Sequence, residues 1–151
     1  MTKEVTVEIR GLQGNEEKDE IITKSSGVYH FRNHKHYIQY DETTEPDAPV
    51  SHNTIKIGSD QIDIIKKGRE KTALIFHRSQ ETQTLYHTPY GDLQIGIMTT
   101  KMSVKEEEKE MAVWLEYILS SQGSRLSDNS LEIRVISKAD STYETESEQF
   151  N

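Results

Sequence analysis

The sequence predicts an all-β fold, a closed up-and-down antiparallel barrel of about eight to ten strands. Many short segments alternate apolar with polar residues, as strands with one buried face do. Turn-forming residues separate these segments at intervals of roughly 8–12 residues, a spacing typical of sandwiches and barrels. The first and last segments, residues 5–9 and 131–135, alternate as cleanly as the others. Pairing them would close the barrel and remove two exposed edges.

The composition indicates one globular domain without covalent cross-links. The chain has 151 residues and no cysteine, which excludes disulfides, thiolate metal sites and a cysteine nucleophile. No cofactor is expected. The first residues lack an apolar stretch and no run is long enough to span a bilayer, so we expect a cytoplasmic protein that does not enter membranes. The net charge of −8 predicts no general nucleic-acid binding.

The first half of the chain divides into strands and turns. Val5, Val7 and Ile9 form the apolar face of the first strand. Gly27 interrupts the second apolar segment, which predicts a bulge or a sharp bend there. The other predicted strands of this half are 19–32, 36–42, 53–57, 61–65 and 72–78, with turns at 11–18, 33–35, 58–60 and 68–71 and a loop at 43–51.

The second half is organised around residues 84–102, which fold back at the Pro89–Asp92 bend. Residues 111–121 fit either a strand or a helix; their alternation and their β-branched and aromatic members favour a strand, with Trp114 and Ile118 on its outer face. Residues 105–110 are a predicted charged turn, 124–129 a turn and 131–135 the last strand. We expect a barrel domain at 1–137 and an acidic, polar, disordered tail at 138–151.

Four stretches resemble one family when taken together. They are YIQYDE at Tyr37–Glu42, NTIKI at Asn53–Ile57, LYHTPYGDLQIGIMT at Leu85–Thr99 and LSDNSLEIRV at Leu126–Val135. They are similar to the YwiB-like proteins, small bacterial cytoplasmic proteins of unknown function. The resemblance implies a calycin-like barrel, the architecture of lipocalins and fatty-acid-binding proteins, but no activity and no site residue. The glutamate-rich residues 106–110, which precede the penultimate strand, depart from the family. A local helix therefore remains an alternative there.

Tyrosines and one histidine are the candidate ligand-binding residues. An apolar ring with a hydroxyl suits a mainly apolar cavity that has a few polar anchors. The candidates are Tyr37, Tyr40, Tyr86, His87 and Tyr90. The alternative is ordinary sheet packing, where tyrosine is common. His87 would be an acid–base group if Asp92 oriented it, or else it pins the bend by packing; no catalytic residue is assigned.

Two other clusters contain residue types that occur in binding sites. His30, His34 and His36 suggest a metal site, because histidine is a common metal ligand. His34 falls in a predicted turn, however, and an exposed hairpin tip is the simpler interpretation, so no metal site is predicted. The basic cluster Lys66, Lys67, Arg69 and Lys71 reads as a charged hairpin turn.

These features predict a non-enzymatic barrel that binds a small, partly apolar molecule in its interior or mouth, as a monomer or weak homodimer. The alternative is a protein-interaction or assembly module with a filled barrel and no ligand, using Trp114 and Ile118 or the acidic tail. An enzyme using His87 ranks third.

Overall fold

A computed structural model describes residues 1–13, 20–43, 46–47 and 49–138. Ten strands make up the described regular structure. They are β1 (Glu4–Gln13), β2 (Ile21–Arg32), β3 (Lys35–Glu42), β4 (Ser51–Ile57), β5 (Gln61–Lys67), β6 (Lys71–His77), β7 (Thr82–Thr88), β8 (Gly91–Glu106), β9 (Glu110–Ser121) and β10 (Ser124–Ser137). The all-β prediction is confirmed.

All ten strands belong to one antiparallel sheet that curls into a nearly closed up-and-down barrel. Its order is β6-β5-β4-β3-β2-β1-β10-β9-β8-β7. β1 pairs with β10 from Val5–Ser137 to Gln13–Asn129. The predicted pairing of the first strand with the last is therefore confirmed, and it protects the edges of both strands.

The seam of the barrel lies between β6 and β7, two strands joined by a short turn. They lie against each other, yet share no backbone ladder among the described residues. Side chains bridge them instead: the Thr84 hydroxyl donates to the Ala73 carbonyl at 2.6 Å, and the Thr82 hydroxyl donates to the Ile75 carbonyl. The Arg78 guanidinium donates to the Met102 carbonyl at 3.0 Å. The seam is thus held by side-chain donors.

The inner face carries the apolar residues that the alternation predicted. Phe76 packs edge-on against Tyr117, with ring centroids 4.8 Å apart. The other inward residues form one buried apolar cluster with Phe76. Those that are 0% exposed are Val5, Ile38, Ile55, Ile62, Phe76, Ile97, Met111, Leu115, Ile133 and Val135.

Residues 111–121 form a strand, as the alternation favoured. β9 pairs along both edges, with β8 and with β10. Trp114 lies on its outer face, where the indole N–H donates to the Glu116 carboxylate at 2.7 Å. Trp114 and Ile118 are both only partly exposed.

Two local predictions were wrong. Residues 124–129 are not a turn: they belong to β10 and pair with β9, while the turn consists of Gln122 and Gly123, both with positive φ. Of the bulge or sharp bend predicted at Gly27, the bulge is absent, since the ladders with β1 and β3 show no register shift there; the β2–β3 ladder ends at this residue. Register shifts occur instead between Thr99 and Lys101 and between Arg125 and Ser127.

The hairpin turns follow their sequence chemistry. Asn33 and His34 have φ values of 55° and 61°, and two positive φ angles match the right-handed twist of the flanking strands. The tail assigned to 138–151 lies outside the described residues from 139 onward. No helix in the described part of the chain has the length and apolarity to span a bilayer.

Candidate functional site

The candidate site is a cleft in the barrel wall, at the open end of the β2–β3 ladder. The ladder stops at the pair Gly27–Tyr40. The first half of β2, residues 21–26, continues along β1, whereas β3 continues along β4. The two strands therefore separate and leave a space of about 1350 Å³, which we call the mouth cleft.

Gly27 allows the two strands to approach closely at the apex of this cleft. A Cβ atom there would lie 2.9 Å from the Gln39 carbonyl oxygen and 3.0 Å from Cγ2 of Val7. Since no ordinary Cβ contact is that short with a backbone atom, a side chain at position 27 would push β3 away. The glycine thus fixes where the strands begin to separate.

A polar network centred on the buried Asn53 lies at one wall of the cleft. Asn53 on β4 is 1% exposed; its amide accepts from the Ser51 hydroxyl at 2.5 Å and donates to the Glu42 carboxylate at 3.0 Å. Lys66 on β5 completes the network, with its ammonium 3.3 Å from the same carboxylate. Because every member has a partner, the network holds its groups in fixed positions at the cleft.

Tyr40 connects this network to the apolar core. Its side chain is 4% exposed, and its hydroxyl has no hydrogen-bond partner among the described residues. Burial raises the pKa of Tyr40 to about 12; the charge of Glu42 adds to the rise and the nearby Asn53 side chain opposes it. An unsatisfied buried hydroxyl costs about 1–3 kcal/mol. The Tyr40 hydroxyl is thus a buried polar group beside the cleft and close to Asn53.

The outer rim of the cleft carries a histidine–carboxylate pair. Asp41 and His52 are directly opposite on β3 and β4, with His52 Nδ1 2.7 Å from Asp41 Oδ1. Both side chains are mostly exposed. Lys24 and Lys67 also line the cleft, so it offers charges of both signs.

The interior beneath the cleft is filled by side chains. Val7, Ile38, Ile55, Val113 and Leu115 are at most 1% exposed. Room for a ligand therefore lies in the mouth rather than between these packed residues.

The five predicted ligand-binding residues do not converge. Tyr40 alone lines the mouth cleft. Tyr37 lies on the outer face of the same strand, between the Arg32 guanidinium and the Lys56 ammonium, 5.8 and 6.0 Å from its ring centroid. Tyr86 and Tyr90 lie on the β7–β8 hairpin and are 52% and 100% exposed.

His87 lies on the same hairpin and is oriented by a carboxylate, as the sequence suggested. Its Nδ1 is 2.7 Å from Asp92 Oδ1 and 3.8 Å from Glu70 of the β5–β6 turn. The hydrogen bond to Asp92 is the main cause of its raised pKa; partial desolvation opposes the rise, and the charges of Asp92 and Glu70 add to it. His87 therefore links the hairpin to the turn across the seam.

His30, His34 and His36, which are close in sequence, do not converge on one site in the structure. His36 points inward, with Nδ1 2.7 Å from the Tyr29 hydroxyl and Nε2 3.3 Å from Glu106. His30 and His34 are exposed. Within residues 1–13, 20–43, 46–47 and 49–138, no three histidine or acidic side chains are grouped to hold a metal ion.

Several cleft residues were not predicted from the sequence. The buried position of Asn53 could have been predicted from the alternation, because Asn53 shares the strand face of Ile55 and Ile57. A buried asparagine is expected to be hydrogen-bonded. His52 and Lys66 carried none, since their positions depend on which strands are neighbours. The basic cluster at 66–71 does lie at a hairpin turn, between β5 and β6.

Comparisons with known proteins address the family and the fold. Residues 5–133 match the model of a family described as a domain of unknown function, DUF1934. The crystal structure of the ywiB protein from Bacillus subtilis is similar, with a TM-score of 0.75 and 16% identity over 90% of this chain and 92% of that chain. At this identity the likeness shows the fold alone. No curated protein matches the sequence. The resemblance to the YwiB-like proteins is confirmed, and the chain belongs to the DUF1934 family of unknown function.

Proposed function

We propose that this barrel binds a small, partly apolar molecule in the mouth cleft and catalyses no reaction on it. The observation that carries the proposal is the Tyr40 hydroxyl, which is buried beside the cleft without a partner. A ligand with a hydrogen-bonding group would satisfy it, while its apolar part would lie against Val28 and the Tyr40 ring.

The surroundings of Tyr40 support this assignment. Asn53, Glu42 and Lys66 are held in place before any ligand arrives, which reduces the entropy lost on binding. Their groups donate and accept hydrogen bonds, so we expect a ligand with a polar head. A cytoplasmic location and a calycin-type mode of binding, through the barrel mouth, are parts of the same proposal.

Native mass spectrometry of protein purified from its own cells, without denaturation, tests the proposal. We expect a discrete mass increment on the wild-type chain. Thr23→Phe would place a ring inside the cleft, since Thr23 is an inward-facing residue of its wall, and should reduce or remove the increment. Ser103→Phe adds the same ring at an exposed position on β8 and is the matched control. A bare wild-type chain, or an increment that survives Thr23→Phe, would overturn the proposal.

A second candidate function is protein interaction or assembly, which the β7–β8 hairpin supports better than Trp114 does. Leu85, Tyr86, Tyr90 and Leu93 of this hairpin are between 37% and 100% exposed. Apolar groups exposed together are typical of an interaction surface. Light scattering should then detect a dimer that Tyr86→Ser with Leu93→Ser abolishes. Leu126→Ser, at a residue 54% exposed elsewhere, should leave it intact. A monomeric wild type at high concentration would argue against self-assembly.

A further inference from the structure

The outer face of β2, β3 and β4 carries an aromatic residue surrounded by basic side chains. Tyr37 lies directly opposite His30 on β2 and Lys56 on β4. The Arg32 guanidinium carbon is 5.8 Å and the Lys56 ammonium 6.0 Å from the Tyr37 ring centroid. Cation–π attraction at these distances keeps both cations close to the sheet surface. We call this set of residues, together with Lys35, the basic face.

The cations of the basic face are not neutralised by ion pairs. Arg32, Lys35 and Lys56 have no carboxylate within ion-pair distance in the part of the chain that the structure describes, unlike Lys24, Lys66 and Arg134. Asp63 is opposite Lys56 in the ladder, but its carboxylate accepts a hydrogen bond from Gln61 at 2.9 Å. The positive charges therefore remain available to a partner.

A shallow groove runs beside these cations. It has a volume of about 380 Å³, and its walls include His30, Phe31, Arg32 and Tyr37. The Tyr37 ring, on the same outer face as the cations, gives the groove an aromatic border. Cations that bind phosphates, next to rings that stack on bases, are the combination that single-stranded nucleic acids require.

We infer that the basic face binds a short single-stranded nucleic acid, with Arg32, Lys35 and Lys56 on its phosphates and a base against Tyr37. The groove is too small for a duplex. The negative charge of the whole chain repels polyanions elsewhere, so binding is confined to this face and depends on salt. The inference departs from the expectation drawn from net charge and stands apart from the mouth cleft, because the cations point outward.

The test is fluorescence anisotropy of a labelled 12-nucleotide oligouridylate with the full chain. Three phosphate contacts predict a slope of about −2 in log K against log salt, or a loss of about 20-fold between 50 and 200 mM salt. Arg32→Gln with Lys56→Gln should reduce the slope to about −0.7. Tyr37→Ala should weaken binding by about fivefold or more through lost stacking.

Lys101→Gln with Lys105→Gln makes the same charge change at exposed positions on β8 and should leave binding unchanged. Circular dichroism confirms that each variant is folded. Absence of binding at 50 mM salt, an equal loss in the β8 variant, or equally tight binding of a duplex of the same length would overturn the inference. Displacement of the oligonucleotide by inorganic phosphate at the same concentration would also overturn the inference.

Discussion

Tyr40 lies directly opposite Gly27 in the last pair of the β2–β3 ladder, and beyond this pair the barrel wall opens. One residue lacks a side chain, so the strands can touch; the other places a phenol at the point where they separate. The mouth cleft therefore results from this pair, and substitutions at either position should affect it in different ways.

Gly27→Ala should destabilise the barrel by about 1–3 kcal/mol, the usual effect of forcing atoms into a packed site. The added Cβ would meet the Gln39 carbonyl and Val7 at or below 3.0 Å. Urea unfolding measures the change. Gly11→Ala is the control, since its Cβ would make an ordinary contact of 3.5 Å with Leu131. Equal stabilities for the two variants would contradict the close approach at Gly27.

Tyr40→Phe should leave the free energy of unfolding unchanged or raise it by up to about 1 kcal/mol, because it removes a buried hydroxyl that has no partner. Tyr40→Leu should instead lower it by about 2–4 kcal/mol through lost packing. Absorbance titration of the wild type should show a tyrosine with a pKa near 12 that is missing in Tyr40→Phe. A clear loss of stability in Tyr40→Phe would mean that the hydroxyl already has a partner.

The seam between β6 and β7 should loosen when its threonine hydroxyls are removed. Thr84→Val keeps the shape but deletes the donor to the Ala73 carbonyl, a change of about 1 kcal/mol. Hydrogen exchange should become faster in β6 and β7 and stay unchanged in β1 and β10. Thr6→Val on β1 is the control, at a threonine with no side-chain hydrogen bond among the described residues. Unchanged exchange in β6 would show that the seam is held by other contacts.

Protonation of His87 should strengthen the contact between the β7–β8 hairpin and the β5–β6 turn. The folded pKa of His87 is raised above its ordinary value of 6.5, so the folded protein binds the proton more tightly than the unfolded chain does. Wild type should then be more stable than His87→Gln, and this difference should reach its maximum below pH 6.5. The difference should disappear as the pH rises through the folded pKa of His87.

Chemical unfolding at closely spaced pH values between about 5 and 8 measures this difference. Asp92→Asn should reduce the pH dependence of this difference most, since the hydrogen bond to Asp92 is the largest cause of the raised pKa. Glu70→Gln should reduce it less. A difference that grows with pH would reverse the sign and contradict the assignment.

Alternation predicted the strands because the inner face of this barrel is apolar over most of its length. It failed at residues 124–129, where β10 runs past the core and pairs with β9, and at Asn129 also with β1. It also could not place the seam, since consecutive segments such as β6 and β7 are expected to pair. The cleft depends on strands that diverge, which is a property of the whole sheet. Tyr40 could be chosen as a site residue, whereas its separation from Tyr37, Tyr86, His87 and Tyr90 could not be foreseen.

The most direct test of ligand binding in the mouth cleft is a crystal structure of the protein purified from its own cells. We predict density for a small molecule where β2 and β3 separate, with a polar atom within hydrogen-bond distance of the Tyr40 hydroxyl. A cleft occupied only by water, with the Tyr40 hydroxyl still without a partner, would contradict the account.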